Sequence, residues 1–481
     1  MPCSVPIPLR PVMVLWLCFA LACAARRPAD PTPPPTPEPT ADAKPELADE
    51  PTATPSSDAP AVLLRGGRVM TATGVIYERG DVLLREGKVE AVGASVDTPT
   101  DVTVLDVTGK TVTPGIIDTH SHLGVYASPG LNAHSDGNEA VAPTTPQVIS
   151  ADGYWPQDPQ IDRARAGGVT TMLILPGSAN LIGGRAVVVR TTPNIRGVED
   201  ARFELAPYGI KMACGENPKR VYGDKGGPQT RMGNMAGFRA AFQRAVEYRR
   251  TWQAYAAKVK DGSDDEDLSP PTRDFGLETL MGVLDGDILV HTHCYRADDM
   301  INIMALAEDY GFKIRSFHHA VEAYKIADRL EAHGSSASVW ADWWGFKAEA
   351  YDGVRENAAM LSAAGVRAVI HSDSPHGIQR LNQEAAKAMH AGRRAGIDIS
   401  EDEALRWITA NPAWTLGVDQ HTGTLEAGKL ADVVVWSGNP FSVYAKAERV
   451  YLSGTLIFDR NDPKTQPHTD FESGFRTKGA H

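Results

Sequence analysis

The sequence predicts an α/β fold, a TIM-type (β/α)8 barrel, and three observations carry that prediction. Four apolar, strand-like runs each end in histidine or aspartate: 116–122, 288–293, 313–319 and 368–373. Strand-like and helix-like segments alternate along the middle of the chain, which argues for a parallel sheet. The 481 residues suit a large barrel with an accessory domain. Such barrels gather their chemistry at the C-terminal ends of the strands, and that is where each run carries its imidazole or carboxylate.

In chain order, short strands punctuated by Gly and Asp are expected at 62–65, 80–84, 89–93 and 102–105, and a similar pattern returns at 431–436 and 449–454. The barrel begins with Ile116-Ile117, an apolar pair of the kind that fills a buried parallel strand. Residues 161–166 lead into 169–175, counted as the third barrel strand, and 209–215 make the fourth. Residues 231–259 form a long amphipathic helix, with Phe238, Phe242, Val246 and Trp252 near helical spacing. The acidic stretch 261–271 lacks the spacing of a calcium loop and reads as a solvated insertion.

The strand ends supply a ligand set. His120 and His122 stand two apart, so they project from one face of a strand. His291 and His293 share a face in the same way, as do His371 and Asp373. His318 and His319 are adjacent, so alternation lets only one of them enter the barrel. Several His with one Asp is a donor set for zinc or a similar divalent metal. In 209–215, Ile210, Met212 and Cys214 form an apolar outer face, which turns Lys211 inward. An unmodified Lys beside divalent cations is strongly repelled; carboxylation makes it an anion.

These motifs, with Gly167-Gly168-Val169-Thr170-Thr171, Gly215-Glu216-Asn217-Pro218-Lys219-Arg220, Thr409-Ala410-Asn411-Pro412-Ala413 and 423–434, make the chain resemble the metal-dependent amidohydrolase superfamily. The likeness is greatest to the imidazolonepropionase-related branch, which includes dipeptidases, and runs from 61 to about 459. The resemblance implies a small β-sandwich built from both chain ends beside the barrel. It implies two zinc ions per chain, the more buried one held by His120 and His122. It makes His319 and Asp373 ligands, His318 a packed neighbour, His291 a ligand and His293 a substrate-side group, with the reverse assignment of that pair left open. The bridging ligand is a carboxylated Lys211 or, alternatively, Glu216. Asp373 is the expected acid/base and His293 its catalytic companion. Asn180, Arg185, Tyr324 and Arg220 are the candidate substrate contacts.

The expected organisation is a signal segment (1–23), a Pro-rich tether (24–60), the first sandwich part (61–113), the barrel (114–420), the second sandwich part (421–460) and a tail (461–481). The apolar stretch 12–22 is too short to span a membrane and reads as the core of a signal peptide. Ala20-Leu21-Ala22-Cys23 resembles a bacterial lipobox, though Leu is preferred where Ala20 stands. Residues 26–60 have almost no large apolar side chain to bury, which suits a disordered tether behind a lipid anchor. Cys214 and Cys294 fall near the ends of neighbouring strands; a pair of buried free thiols is the favoured state and a disulfide the alternative.

The expected function is that of an exported, periplasmic or envelope-bound hydrolase cleaving an amide or cyclic amide C–N bond, as a dipeptidase or acyl-amino-acid hydrolase does. The alternatives are a mononuclear deaminase or imidazolone-type cyclic amidase, and a catalytically retired, surface-tethered binding protein. The partner is a small-molecule substrate. A net charge of −12 argues against nucleic acid and anionic membrane, so membrane contact is confined to the lipid anchor, and a homo-oligomer is expected. If the anchor is real, Cys23→Ser shifts the protein from the membrane to the soluble fraction; unchanged fractionation contradicts it.

Overall fold

A computed structural model describes residues 60–262 and 268–467. The signal segment, the tether up to residue 59, part of the acidic insertion and the end of the tail lie outside the described residues.

Two eight-stranded sheets organise the chain. The first collects strands from both ends: β1 (Val62–Met70), β2 (Ile76–Arg85), β3 (Lys88–Gly93), β4 (Thr103–Asp106) and β5 (Thr111–Pro114) from the N-terminal side, with β14 (Val433–Trp436), β15 (Ala447–Leu452) and β16 (Thr455–Asp459) from the C-terminal side. The seam between the two ends is the antiparallel pairing of β5 with β14. Strand β1 changes partner along its length, pairing β4 at 62–65 and β5 at 68–69. Where the resemblance implied a sandwich, the pairing shows one continuous sheet, with a core of its own that includes Leu64, Val82, Val112, Val433 and Val435.

The second sheet follows chain order: β6 (Ile116–Ser121), β7 (Val169–Ile174), β8 (Ile182–Arg190), β9 (Gly209–Ala213), β10 (Leu289–Cys294), β11 (Ile314–His319), β12 (Ser336–Val339) and β13 (Ala368–Ile370). Strand β8 departs from the all-parallel expectation, since it runs antiparallel to both β7 and β9. The connection 175–181 is too short for a helical crossover, so the chain must turn back on itself. Residues 169–175 are therefore the second strand of the sheet and not the third, and the Gly-rich stretch 176–185 is half turn, half strand.

The ends of this sheet, β6 and β13, are joined by side chains. Asp118 is completely buried. Its carboxylate accepts from the backbone N–H groups of His120 and Ser372, each at 3.1 Å, and from the Ser372 hydroxyl. The Asp373 N–H donates to the His120 carbonyl at 3.0 Å, and Thr119 bonds Ser338 through their hydroxyls at 3.0 Å. This closes the strand ends into a ring.

Cys214 and Cys294 are disulfide-bonded, with Cα atoms 5.3 Å apart, which corrects the favoured free-thiol reading. The reason is register. Cys294 ends β10 and Cys214 follows β9, so the parallel pairing of these strands sets the two side chains next to each other.

Arg190 at the end of β8 forms a buried ion pair with Asp432, which also accepts from the Ser453 N–H and the Thr422 hydroxyl. This contact ties the barrel-like sheet to the sheet of the chain ends. Removing one partner strands a buried charge. Arg190→Met is therefore expected to lower unfolding free energy by about 3 kcal/mol in denaturant titration, the range for a broken buried pair, and a loss under ~1 kcal/mol contradicts that role.

Candidate metal centre

Seven imidazoles and the Asp373 carboxylate converge where β6, β10, β11 and β13 end. His120 comes first. Its Nδ1 lies 2.9 Å from His318 Nδ1, which fixes the ring and turns Nε2 towards Lys211 Nζ, at 3.3 Å, and the Asp373 carboxylate, at 3.6 Å. His122 donates from Nδ1 to the Leu175 carbonyl at 2.8 Å and sets Nε2 3.4 Å from the same Asp373 oxygen. His319 Nδ1 stands 3.7 Å from the other oxygen of Asp373. Donor atoms lie within 4.8 Å of one another in two groups, His120–His319–His371 and His120–His122–Asp373.

Adjacent residues should not both enter the site, yet His318 and His319 do. The alternation rule fails because the strand stops there: His319 has φ +69° and Ala320 φ +32°. This left-handed backbone is rare for non-glycine residues. It swings His319 to the mouth while His318 stays inside, fully buried between His120 and His291. Asp373 likewise lies beyond the end of β13 at φ +47°, held by its bond to His120. That backbone hydrogen bond and this backbone strain place it, where the sequence suggested simple strand alternation.

His291 lies one layer deeper than the donor groups. Its Nδ1 is 3.0 Å from His318 Nε2, so it belongs to a chain of rings, His120–His318–His291. His293 sits on the mouth side, 4.6 Å from His319 between ring centroids. Asn217 Nδ2 lies 3.3 Å from His293 Nε2. Because Lys347 donates to Asn217 Oδ1, the amide nitrogen faces His293 and donates to it. His293 Nε2 therefore accepts, and the proton of the neutral ring sits on Nδ1.

Burial governs the electrostatics. It pushes His291 and His371 down to about 3, and holds His120, His293, His318 and His319 well below the ordinary histidine value. Lys211 is fully buried and lowered to about 7 by desolvation, against the pull of Asp373. Asp118 is raised to about 7 by burial. Burial also works to raise Asp373, but the hydrogen bond with His122 and the surrounding charges outweigh it, so Asp373 lies below the usual carboxylate value.

The residues fit a cation. Among the described residues, His319 Nδ1, His293 Nδ1 and both nitrogens of His371 are buried without a hydrogen-bond partner. Buried polar atoms of this kind are costly unless something satisfies them. A divalent ion beside a carboxylate satisfies one nitrogen each of His319 and His371, while the protonated His293 Nδ1 is left as a hydrogen-bond donor facing the site.

The remaining candidates are placed elsewhere. Glu216 opens the helix Glu216–Tyr222 and pairs with Lys347 at 3.2 Å, away from the donor groups. Arg220 is exposed on that helix. Asn180 is buried but engaged, bonding the carbonyls of Glu139 and Ala142 and the Tyr222 hydroxyl, so it ties a loop down. Arg185 lies opposite Ile210 in the ladder, on the outer face, with its guanidinium over Tyr208. Tyr324 donates to the Asp352 carbonyl at 3.0 Å. Gly215 is required where it stands: at φ +76°, a Cβ there would meet both Glu349 carboxylate oxygens at 2.8 Å. The sequence reading assigned His371 no ligand role, although its spacing from Asp373 was the available signal. It passed over Asn217, Lys347 and Trp340 because loop residues carry no period.

Residues 111–465 match the model of the Amidohydrolase family. The chain belongs to that family. This amidohydrolase is 38% identical over 416 residues to Amidohydrolase tasK of Hapsidospora irregularis, a match covering 82% of this chain but only 41% of that longer protein. It is 26% identical over 440 residues to an imidazolonepropionase of Mesorhizobium japonicum, covering 81% of this chain and 94% of the other. Among solved structures it is similar to an amidohydrolase from Thermotoga maritima, with a TM-score of 0.74, 37% identity, and coverage of 83% of this chain and 100% of that one.

The buried rings make stability depend on pH. Their folded pKa values lie below the ordinary value of 6.5, so below that pH the unfolded chain binds protons that the native state refuses. Native stability is then lost as pH falls from about 6.5, by up to ~1.4 kcal/mol per pH unit for each ring. Asp118, raised to about 7, acts in the opposite direction, as do the raised carboxyl groups of Asp158, Asp299, Glu349, Glu384 and Asp402, but the six rings are the groups whose ordinary value falls inside the window. Thermal scans of metal-stripped protein are expected to show a melting temperature that declines steadily from pH 7.5 to 5; a flat profile contradicts neutral burial of these rings.

Proposed function

We propose that this amidohydrolase is an exported, metal-dependent hydrolase that cleaves an amide or cyclic amide C–N bond of a small substrate. The observation that carries the reading is the convergence of partnerless buried donors, His319 and His371, with His120, His122 and Asp373 where the strands end. Those residues would hold the ion. Bound there, a divalent cation supplies Lewis acidity, polarising the carbonyl under attack and easing the deprotonation of water.

The chain's own groups supply the rest. Asp373 is kept ionised by His122 and its neighbours, so it can accept the proton of the attacking water at a carboxylate oxygen. It then returns that proton to the departing nitrogen. His293, with its proton fixed on Nδ1 by Asn217, donates a hydrogen bond to the oxygen that gains charge. Lys211, buried and lowered to about 7, has a substantial unprotonated fraction near neutrality, the state that reacts with carbon dioxide, and its carboxylated form would supply an anionic ligand to a two-metal site. One observation favours a single ion instead: the two donor groups share His120. The intact donor set speaks against a retired binding protein. Export is supported by the Cys214–Cys294 bond, which suits an oxidising compartment.

Asp373→Asn keeps the shape and an oxygen but cannot act as a base. In zinc-supplemented protein assayed on dipeptides and N-acyl amino acids, it is expected to lower kcat by ~10²–10⁴ while elemental analysis still finds metal. Near wild-type turnover in this variant places the base elsewhere, and wild-type protein inert on the panel with metal bound contradicts the hydrolase reading.

A further inference from the structure

The segment that follows β12 carries an unusual concentration of rings. Trp340 is buried and stacks on His319, with centroids 4.4 Å apart and planes 28° apart. Trp343 stacks on Trp340 at 5.2 Å. Phe346 packs edge-on against Trp340 at 5.7 Å and against Tyr295 at 6.3 Å. The stack therefore runs from a candidate metal ligand out to solvent, where Trp343 is 40% and Phe346 57% exposed. Large exposed rings beside a catalytic cluster are surface waiting for an apolar group.

One cation sits inside this rim. Lys347 reaches back from the same segment with its side chain only 18% exposed. Its ammonium lies 3.9 Å from the centre of the Tyr295 ring, and Tyr295 stacks on His319 at 5.4 Å. Asn217 and Glu216 take two of its three N–H groups, at 3.3 and 3.2 Å. The segment is pinned on its other side by the ion pair of Glu349 with Arg231. Lys347 thus stands one ring away from His319, within reach of a substrate whose anionic group lies a few bonds from the scissile carbonyl. Its carboxylate partner, Glu216, is a third exposed, so exchange for a substrate carboxylate keeps the charge balance.

We infer that Lys347 and the aromatic segment around Trp343 and Phe346 form the recognition subsite for the leaving half of the substrate, and that this half is an amino acid with a free α-carboxylate and an aromatic or large apolar side chain. This rests on the hydrolase reading and narrows it. It gives the substrate's anionic group to Lys347, whereas Arg220, a candidate substrate contact in the sequence, is exposed on its helix.

Binding separates the two claims. N-acetyl-L-phenylalanine and its carboxamide are titrated into zinc-loaded full-length protein, read by tryptophan fluorescence and calorimetry. The acid is expected to bind about tenfold or more tightly than the amide, the scale of one charge-assisted hydrogen bond. Lys347→Met should abolish that preference while Lys347→Arg keeps part of it, with unchanged circular dichroism showing that both variants fold. Phe346→Ala should weaken the acid and amide alike, since it removes only apolar contact. Equal affinity for acid and amide in wild type, no binding of either, or a preference that survives Lys347→Met overturns the subsite. Binding with this preference but no metal-dependent turnover upholds the subsite and sinks the hydrolase reading.

Discussion

The structure depends on one constraint: several imidazoles are buried together and must stay neutral while each nitrogen finds a partner. Three of them find partners in one another. His318 bridges His120 and His291, and that chain of rings aims His120 Nε2 at Lys211 and Asp373. His319 and His371 do not solve it, and their partnerless nitrogens define where a cation belongs. A site of this kind trades stability for function: each unsatisfied atom costs free energy until metal binding offsets it.

The scaffold holds these donors in place with devices that are each local. Asp118 seals β6 to the segment after β13 through Ser372 and the His120 N–H. The Cys214–Cys294 bond fastens the end of β9 to that of β10, the strands that carry Lys211 and His293. Arg190 and Asp432 lock the sheet of the chain ends against the barrel-like sheet. Left-handed backbone at His319 and Asp373 then aims two side chains that ordinary strand geometry would misplace.

The fold was largely legible because its signals are periodic and local. Apolar runs ending in His120, His291, His318 and His371 mark strands, and alternation turned Lys211 inward, where the structure has it fully buried. Alternation failed where strands end. It allowed only one of His318 and His319 inside, although it did set His371 on the face of Asp373. The antiparallel strand β8 was missed because a Gly-rich stretch reads as a loop, although its Val187-Val188-Val189 run was visible. Bonding of Cys214 to Cys294 depends on register between strands, which no single segment encodes. Glu216, Arg185, Asn180 and Tyr324 have suitable chemistry and lie in or near motifs, but their neighbours, supplied by other segments, engage them elsewhere. Lys347 and Trp340 could not be found from sequence because their meaning lies in what they touch.

The central claim is that the orphaned donors converge on a cation. Anomalous diffraction at the zinc edge from crystals of the zinc-supplemented protein tests it most directly. The account predicts a peak within about 2.0–2.2 Å of donor atoms drawn from His120, His122, His319, His371 and Asp373. A zinc-supplemented crystal with no peak among those side chains, or with zinc only at unrelated surface residues, would contradict it.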